Sequence, residues 1–296
     1  MGKRGGESQG GNRNKKYKQS GFIDPNTAGV YATCNRGREL GCRKELLNLL
    51  SEKCEQWYPD WESKAEVDDE DDKDLSVEEQ VQKELASMKK EKTAKSTIFS
   101  PIDLSCECTV FVKIRKPVEP AEFIHRICQE AKDSGVKKSR FIQKLTPVTF
   151  SVSASLEEIK KLAAIVLKPH FHKEEGQEPL KFAIQVTRRN FNQIPKEEII
   201  QTVAGCVGKD HGHTVDLKKY DKLILVDCFK SNIGMSVVSD YLQLEKFNLQ
   251  QIFEKNMKDS KSSRVNPESN SDKKDIKEES DDKKDIKKED DATKAT

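Results

Sequence analysis

Phe182-Ala-Ile-Gln-Val-Thr187 runs directly into Arg188-Arg189-Asn190, and this stretch with its sequel decides the fold. An apolar, partly β-branched run without Gly or Pro predicts a buried strand. Two arginines at its exposed end put guanidinium forks on a rigid rim, a geometry suited to phosphate. The plainer alternative is a charge pair solvated at a strand end. Pro195 signals a helix with Ile199, Ile200, Val203, Ala204 and Val207 on one face. The run from Thr214 to Val238 is then rich in strand formers and edged with lysines. Upstream, Ser155-Leu-Glu-Glu158 is a capping box opening a helix with Leu156, Ile159, Ala163 and Val166 inward.

The first half reads as a second α+β unit. Val30 to Cys34 alternates like a strand, Asn35-Arg-Gly-Arg38 turns, and a helix follows with Leu46, Leu47, Leu50, Cys54 and Trp57 on one face until Pro59. From Ile102 order resumes. Cys106, Cys108, Val110, Val112 and Ile114 alternate with Glu107, Thr109, Phe111 and Lys113, which predicts one strand with both thiols facing the core. Pro117 and Pro120 introduce a helix striped by Phe123, Ile124, Ile127, Cys128 and Ala131. A further strand spans about Arg140 to Val152, interrupted at Pro147. Strand, helix, insert, strand, helix, strand fits a small sandwich of ferredoxin-like type.

Of 296 residues, 35% are charged, yet the net charge is only +2 because opposite charges are segregated. Residues 1–21 read as a disordered basic arm, suited to nuclear import, to touching phosphate or merely to solubility. Residues 60–97 form an acidic insert, in which Glu62 to Asp74 holds eight acids against two lysines. A capping box at Ser76-Val-Glu-Glu79 opens a short charged helix reaching about Glu91. After Gln250 the apolar pattern dissolves, and 254–296 reads as a disordered tail of mixed charge. It repeats Asp272-Lys-Lys-Asp-Ile-Lys-Glu-Glu279 as Asp282-Lys-Lys-Asp-Ile-Lys-Lys-Glu289. No apolar run suits a signal peptide or a membrane span, so the eight cysteines are expected to be reduced thiols in the cytosol or nucleus.

Enzymatic devices are missing. Gly205-Cys-Val-Gly-Lys209 lacks the spacing of a phosphate-binding loop, and neither a dinucleotide fingerprint nor a nucleophile elbow is found. Cys206, His211 and His213 offer three potential zinc ligands where a structural site wants four, so no metal is expected. His170 and His172 read as caps on helix carbonyls or as surface groups. What remains is a set of cations on strand ends and loops: Lys137, Lys138, Arg140, Lys144, Lys181, Arg188, Arg189 and Lys230, joined by Asn190. In a cleft between two lobes they would suit a folded RNA's backbone, with Phe191 and Tyr220 as candidates for stacking.

Four separated motifs, in order, carry a resemblance: SGFIDPNTAGVYATC from Ser20, RFIQKLTPVTF from Arg140, VTRRN from Val186 and TVDLKKYDKLILVDCFKSNIGMSVV from Thr214. They are similar to the stand-alone THUMP-domain proteins that act as adaptors in fungal and animal tRNA acetylation, over about Ser20 to Phe253 without the acidic insert. The resemblance implies an N-terminal ferredoxin-like domain over 22–127, its last strand continuing to about 152, followed by a THUMP domain over 128–240. It further implies a non-catalytic protein that presents serine and leucine tRNAs to a separate tRNA cytidine acetyltransferase, which makes N4-acetylcytidine in the D-arm. Acetyl-CoA and ATP belong to that partner, no cofactor is expected on this chain, and the expected location is the nucleus or nucleolus, with the cytoplasm second. Two alternatives stay open: a THUMP-type enzyme that modifies tRNA itself, and a scaffold without RNA affinity.

Overall fold

The computed structural model describes residues 21–59, 98–209 and 211–262; the basic arm to Ser20, the acidic insert with its predicted helix, and the repeats of the tail lie outside them. Two sheets organise the described chain. The first contains β1 (Gly29–Thr33), β2 (Phe99–Ile102), β3 (Thr109–Ile114) and β4 (Leu145–Val148) in the order β2-β3-β1-β4, with every neighbouring pair antiparallel. Helices α1 (Glu39–Trp57) and α2 (Pro120–Ser134) share one of its faces, where Leu46, Leu50, Phe123 and Ile127 meet Val30, Ala32, Val110 and Val112.

The second sheet contains β5 (Phe150–Ser153), β6 (Lys181–Arg189), β7 (Thr214–Val215), β8 (Lys222–Phe229) and β9 (Asn232–Val238) in the order β5-β9-β8-β6-β7. β6 runs parallel to both β7 and β8, while β9 is antiparallel to β8 and β5. One face is covered by α3 (Leu156–Phe171) and α4 (Lys196–Val207), through Ile159, Ala163, Ile199 and Val203. Ser155 caps α3 as its spacing predicts, accepting a hydrogen bond from Glu158 N at 3.2 Å. The opposite face, with Ala183, Leu223 and Leu225, joins the core that also holds α1 and α2. Buried on both faces, β8 reads from Leu223 to Phe229 as an apolar run broken by Asp227, rather than as an alternating one.

Three expectations are corrected. The strand predicted from Cys106 to Ile114 begins only at Thr109, and both cysteines lie in the turn that joins β2 to β3. Positive φ at Ser105 and Cys108 breaks the extended run, and Glu39 Oε1 accepts from Cys108 N at 2.9 Å. Both thiols are therefore half-exposed instead of core-facing. The strand expected from Arg140 is also divided. Residues 140–144 form a loop whose Arg140 and Phe141 amides are held by the Glu45 carboxylate at 2.6 and 2.8 Å, and the interruption falls at Thr149 rather than Pro147. Finally, the first residues of the tail expected over 254–296 are helical, to Ser262. They belong to helix α5 (Leu249–Ser262), whose Leu249 and Ile252 are buried in the first core.

Two glycines mark where backbones come too close for a side chain. A Cβ on Gly29 would stand 2.4 Å from Val112 O, and one on Gly234 would stand 2.6 Å from Val148 Cγ1. Gly29→Ala is accordingly expected to cost about 1–3 kcal/mol in urea denaturation; a change below about 0.5 kcal/mol would mean that the β1–β3 pairing yields freely. The thiols give a second test. Burial pushes the Cys54 thiol up to about 11 and Cys228 up to about 12, and raises Cys42 and Cys128 further. In the native state an alkylating reagent should therefore modify Cys106 and Cys108 first, read by mass spectrometry of timed digests. Equal labelling of Cys42 or Cys128 would contradict their packing.

Candidate nucleic-acid interface

The site is built on the carboxyl ends of β6 and β8, locked side by side from Phe182–Lys222 to Arg189–Phe229. Arg188, Arg189 and Asn190 close β6, and Lys230 follows β8, its N–H donating to Arg189 O at 3.2 Å. Asn190 and Lys230 both take positive φ, which turns the chain sharply at the rim. Side chains alternate across a strand, so the two arginines diverge. Arg188, in phase with Phe182 and Val186, is exposed on the α3–α4 side and makes no ion pair among the described residues. Arg189, in phase with Ala183, points towards the first sheet.

There Arg189 is engaged. Its Nη1 donates to Asp227 Oδ1 at 2.9 Å, and its guanidinium lies 5.3 Å from the centre of the Tyr31 ring on β1. The side chains of Arg189 and Asp227 are 20% and 3% exposed, so this is a mostly buried pair spanning β6, β8 and β1. Burial pushes the Asp227 carboxyl above its ordinary range, while Arg189 and Lys144 pull the other way. Burial, with the Asp227 charge second, also raises the Tyr31 hydroxyl. A buried carboxylate needs its cation, so Arg189 is a joint between the sheets before it is a contact for anything else.

The other predicted cations fall into separate places. Lys230 Nζ donates to Gly21 O at 2.6 Å and covers the Phe22 ring at 4.6 Å, which ties it to the rim. Lys144, half-buried, faces Asp227 and lies 5.6 Å from the Tyr241 ring centre. Arg140 is exposed over Phe141, Lys138 pairs with Glu130 at 3.1 Å, and Lys137 lies over Phe253, so the 137–144 loop carries a string of cations from the end of α2 to β4. Lys181 opens β6, seven residues from Arg188, about 23 Å away at ~3.3 Å per residue. It pairs with Asp216 at 3.7 Å and does not share the rim.

Cations that strand-end reasoning passed over are Arg36 and Arg38. Both are exposed on the turn after β1, which Gln143 Nε2 ties down through Asn35 Oδ1 at 2.7 Å, placing the turn beside Lys144. The turn is visible in the sequence; its neighbourhood depends on the β1–β4 register. Phe191 is buried, leaving Tyr220 as the half-exposed aromatic of the two. The histidines serve the fold. His213 Nδ1 accepts from Leu180 N at 3.1 Å, which leaves Nε2 to donate to Phe171 O at 2.9 Å, and His172 Nε2 meets Val207 O at 2.9 Å. Among the described residues no group of three or more His, Cys, Asp or Glu is arranged to hold a metal ion, and no helix is long and apolar enough to cross a membrane.

A second concavity, of about 750 Å³, lies between α2 and α3. It contains His125 bonded to Asp240 at 3.1 Å, Thr149 Oγ1 donating to Glu119 at 2.9 Å, and Lys222 donating to Ser239 at 2.6 Å. Burial raises Glu119 and lowers His170. Acids and bases alternate around it, so it does not present the single sign of charge that a polyanion requires.

Residues 153–238, the stretch from the end of β5 to the end of β9, match the THUMP domain family. The Saccharomyces cerevisiae protein named tRNA acetyltransferase TAN1 is 44% identical over 281 residues, covering 88% of this chain and 97% of that one. Bovine THUMP domain-containing protein 1 is 30% identical over 250 residues, covering 83% of this chain and 68% of that one. The solution structure of the THUMP domain of THUMP domain-containing protein 1 aligns at 32% identity with a TM-score of 0.26, over 28% of this chain and 84% of that one. Similarity along nearly the whole length places the chain in the family of THUMP-domain proteins that includes yeast TAN1 and the animal THUMP domain-containing protein 1.

Proposed function

We propose that this chain is a tRNA-binding adaptor, itself non-catalytic, that presents serine and leucine tRNAs to a separate cytidine acetyltransferase for N4-acetylcytidine formation in the D-arm. The observation that carries the reading is Arg188, an exposed cation without an ion-pair partner among the described residues, set at the end of a strand in a THUMP domain. Lys230, Asn190 and the loop cations Lys144, Arg140, Lys138 and Lys137 extend the contact, and Lys181 marks its far limit. Acetyl-CoA and ATP reside on the partner. The antiparallel order β2-β3-β1-β4 with two helices on one face supports a ferredoxin-like N-terminal domain ahead of the THUMP domain. The protein works in the nucleus or nucleolus, with its basic arm as import signal, and secondarily in the cytoplasm.

The name of the yeast relative favours a second reading, in which the chain transfers the acetyl group itself. Purified protein, acetyl-CoA, ATP and tRNA separate the two, with nucleoside mass spectrometry as the readout. The expected outcome is tRNA binding without acetylation until the acetyltransferase is added. Holding two reactants together lowers a barrier by as much as about 7–11 kcal/mol in favourable cases, so placement alone accounts for a large gain. Acetylation by the chain alone would establish the enzyme reading; equal acetylation by the partner without this chain would end the adaptor reading.

The two arginines should behave differently. Arg188→Ala is expected to weaken tRNA binding and to lower the slope of log affinity against log salt by about 0.7–0.9, the contribution of one phosphate contact, with the melting temperature preserved. Arg189→Ala strands the buried Asp227 and should cost roughly 3–5 kcal/mol of stability. An unchanged salt slope in a folded Arg188→Ala protein would remove that residue from the RNA surface.

A further inference from the structure

Strand β6 leaves one side of its backbone uncovered. On its inner side it pairs with β8 from Phe182 to Arg189, whereas on its outer side β7 pairs only with Lys181 and Phe182. The ladder shows which groups face outward. Asp221 N donates to Lys181 O on the β8 side, and Asp216 N donates to Phe182 O on the β7 side. Alternation then turns the N–H and C=O of Ile184, Val186 and Arg188 outward, and no other backbone or side chain of the described residues bonds to them. Natural edges are usually blunted by proline, by a bulge or by mid-strand charge. Ala183 to Thr187 contains no proline and no charge, and its register with β8 is unbroken. Beside this edge stand Val215 and Leu217, 62% and 75% exposed, among the most exposed large apolar side chains described.

We propose that the β6 edge accepts an extended segment of the separate acetyltransferase as an added strand, bonded to the outward main chain of Ile184, Val186 and Arg188, with an apolar side chain of that segment beside Val215 and the Arg188 side chain left to tRNA. The inference rests on the adaptor reading and gives that reading a docking surface. Outward groups from Ile184 to Arg188 span five residues, about 17 Å of strand, enough for a short peptide held by main-chain bonds. Charge selects the occupant. A second copy paired edge to edge in antiparallel fashion would bring Lys181 of one chain beside the arginines of the other, an unfavourable cross-strand match. RNA lacks the amide ladder that would satisfy three successive outward pairs. An extended protein segment without cations meets both demands.

Hydrogen exchange of the full chain, alone, with tRNA and with the acetyltransferase, tests this directly. The amides of Ile184, Val186 and Arg188 should exchange fast in the free chain and slow by at least about tenfold in the protein–protein complex. Ile184→Pro removes one outward N–H, leaves the β8 ladder intact, and should weaken association with the enzyme at least about tenfold while tRNA affinity is retained. A complex that forms with these amides still fast overturns the proposal and spares the adaptor reading, as does protection already present in the free chain. Protection by tRNA alone overturns it too and assigns the edge to RNA. No complex at all, together with acetylation that does not need this chain, overturns both.

Discussion

A single residue, Thr149, separates a strand of one sheet from a strand of the other, and the rest of the architecture follows from that crossing. β4 ends at Val148 in the first sheet and β5 begins at Phe150 in the second. With no linker to absorb rotation, the sheets must meet at this corner, and the local bonds fix how. Thr149 N donates to Met235 O at 3.0 Å, Ser236 Oγ donates to Pro147 O at 2.8 Å, and Gly234 admits the Val148 side chain where any larger residue would collide. The corner is a close-packed joint between β4, β5 and β9. Beside it, α2 contributes to the one core that holds residues from both sheets.

A second tie between the sheets lies beside the first, since Asp227 is paired across β8 and β9 with Gly234 of the corner. Asp227 is an acid in the middle of an otherwise apolar strand, and burial without a counter-charge would disfavour its ionised form severely. Arg189 supplies the charge from the next strand and stacks its guanidinium over Tyr31 of the first sheet. Such a pair adds less net stability than its length suggests, since desolvation offsets much of the attraction. What it provides is register: Arg189 meets Asp227 and Tyr31 together only when β6, β8 and β1 are correctly aligned. The rim carrying Arg188 and Lys230 is thereby held in one position relative to the first sheet.

Much of this was legible residue by residue. Periodicity located the helices that follow Arg38, Pro120, Ser155 and Pro195, because their apolar stripes face one core. The strand through Phe182 and the apolar run of β8 were equally clear. Period-two reasoning failed at Cys106 and Cys108, where positive φ at Ser105 and Cys108 keeps the chain in a turn until β3 begins at Thr109. It failed at Thr149 because a change of sheet leaves no signature in a window that still alternates. β2 was missed because Phe99-Ser-Pro-Ile102 is an edge strand with a proline, which propensity rules discount. For the site, the divergence of Arg188 and Arg189 follows from strand alternation alone, although their shared charge suggests a single contact. The demand of Asp227 for a cation was also visible in its apolar surroundings; only the register with β6 named which one.

The separation of roles between neighbouring arginines bears on how a THUMP domain could recognise a folded RNA. Selectivity by shape requires cations at fixed mutual spacing, since phosphates are chemically alike and only their arrangement differs. A lysine or arginine on a mobile loop contributes attraction without spacing. Here the rim cation Arg188 is carried by a strand hydrogen-bonded to β8, the adjacent Lys230 is anchored by its own bond to Gly21, and the loop cations near Lys144 are held by Glu45 and by the β1–β4 pairing. The Arg189–Asp227 pair then fixes the distance between these groups by bolting one lobe to the other. On the proposed reading, the residue that contributes nothing directly to phosphate binding is therefore the one that turns scattered charge into a template. This also explains why an arginine rather than a lysine suits position 189: a planar guanidinium can bond a carboxylate at its edge and cover an aromatic ring with its face at the same time, and an ammonium group cannot do both.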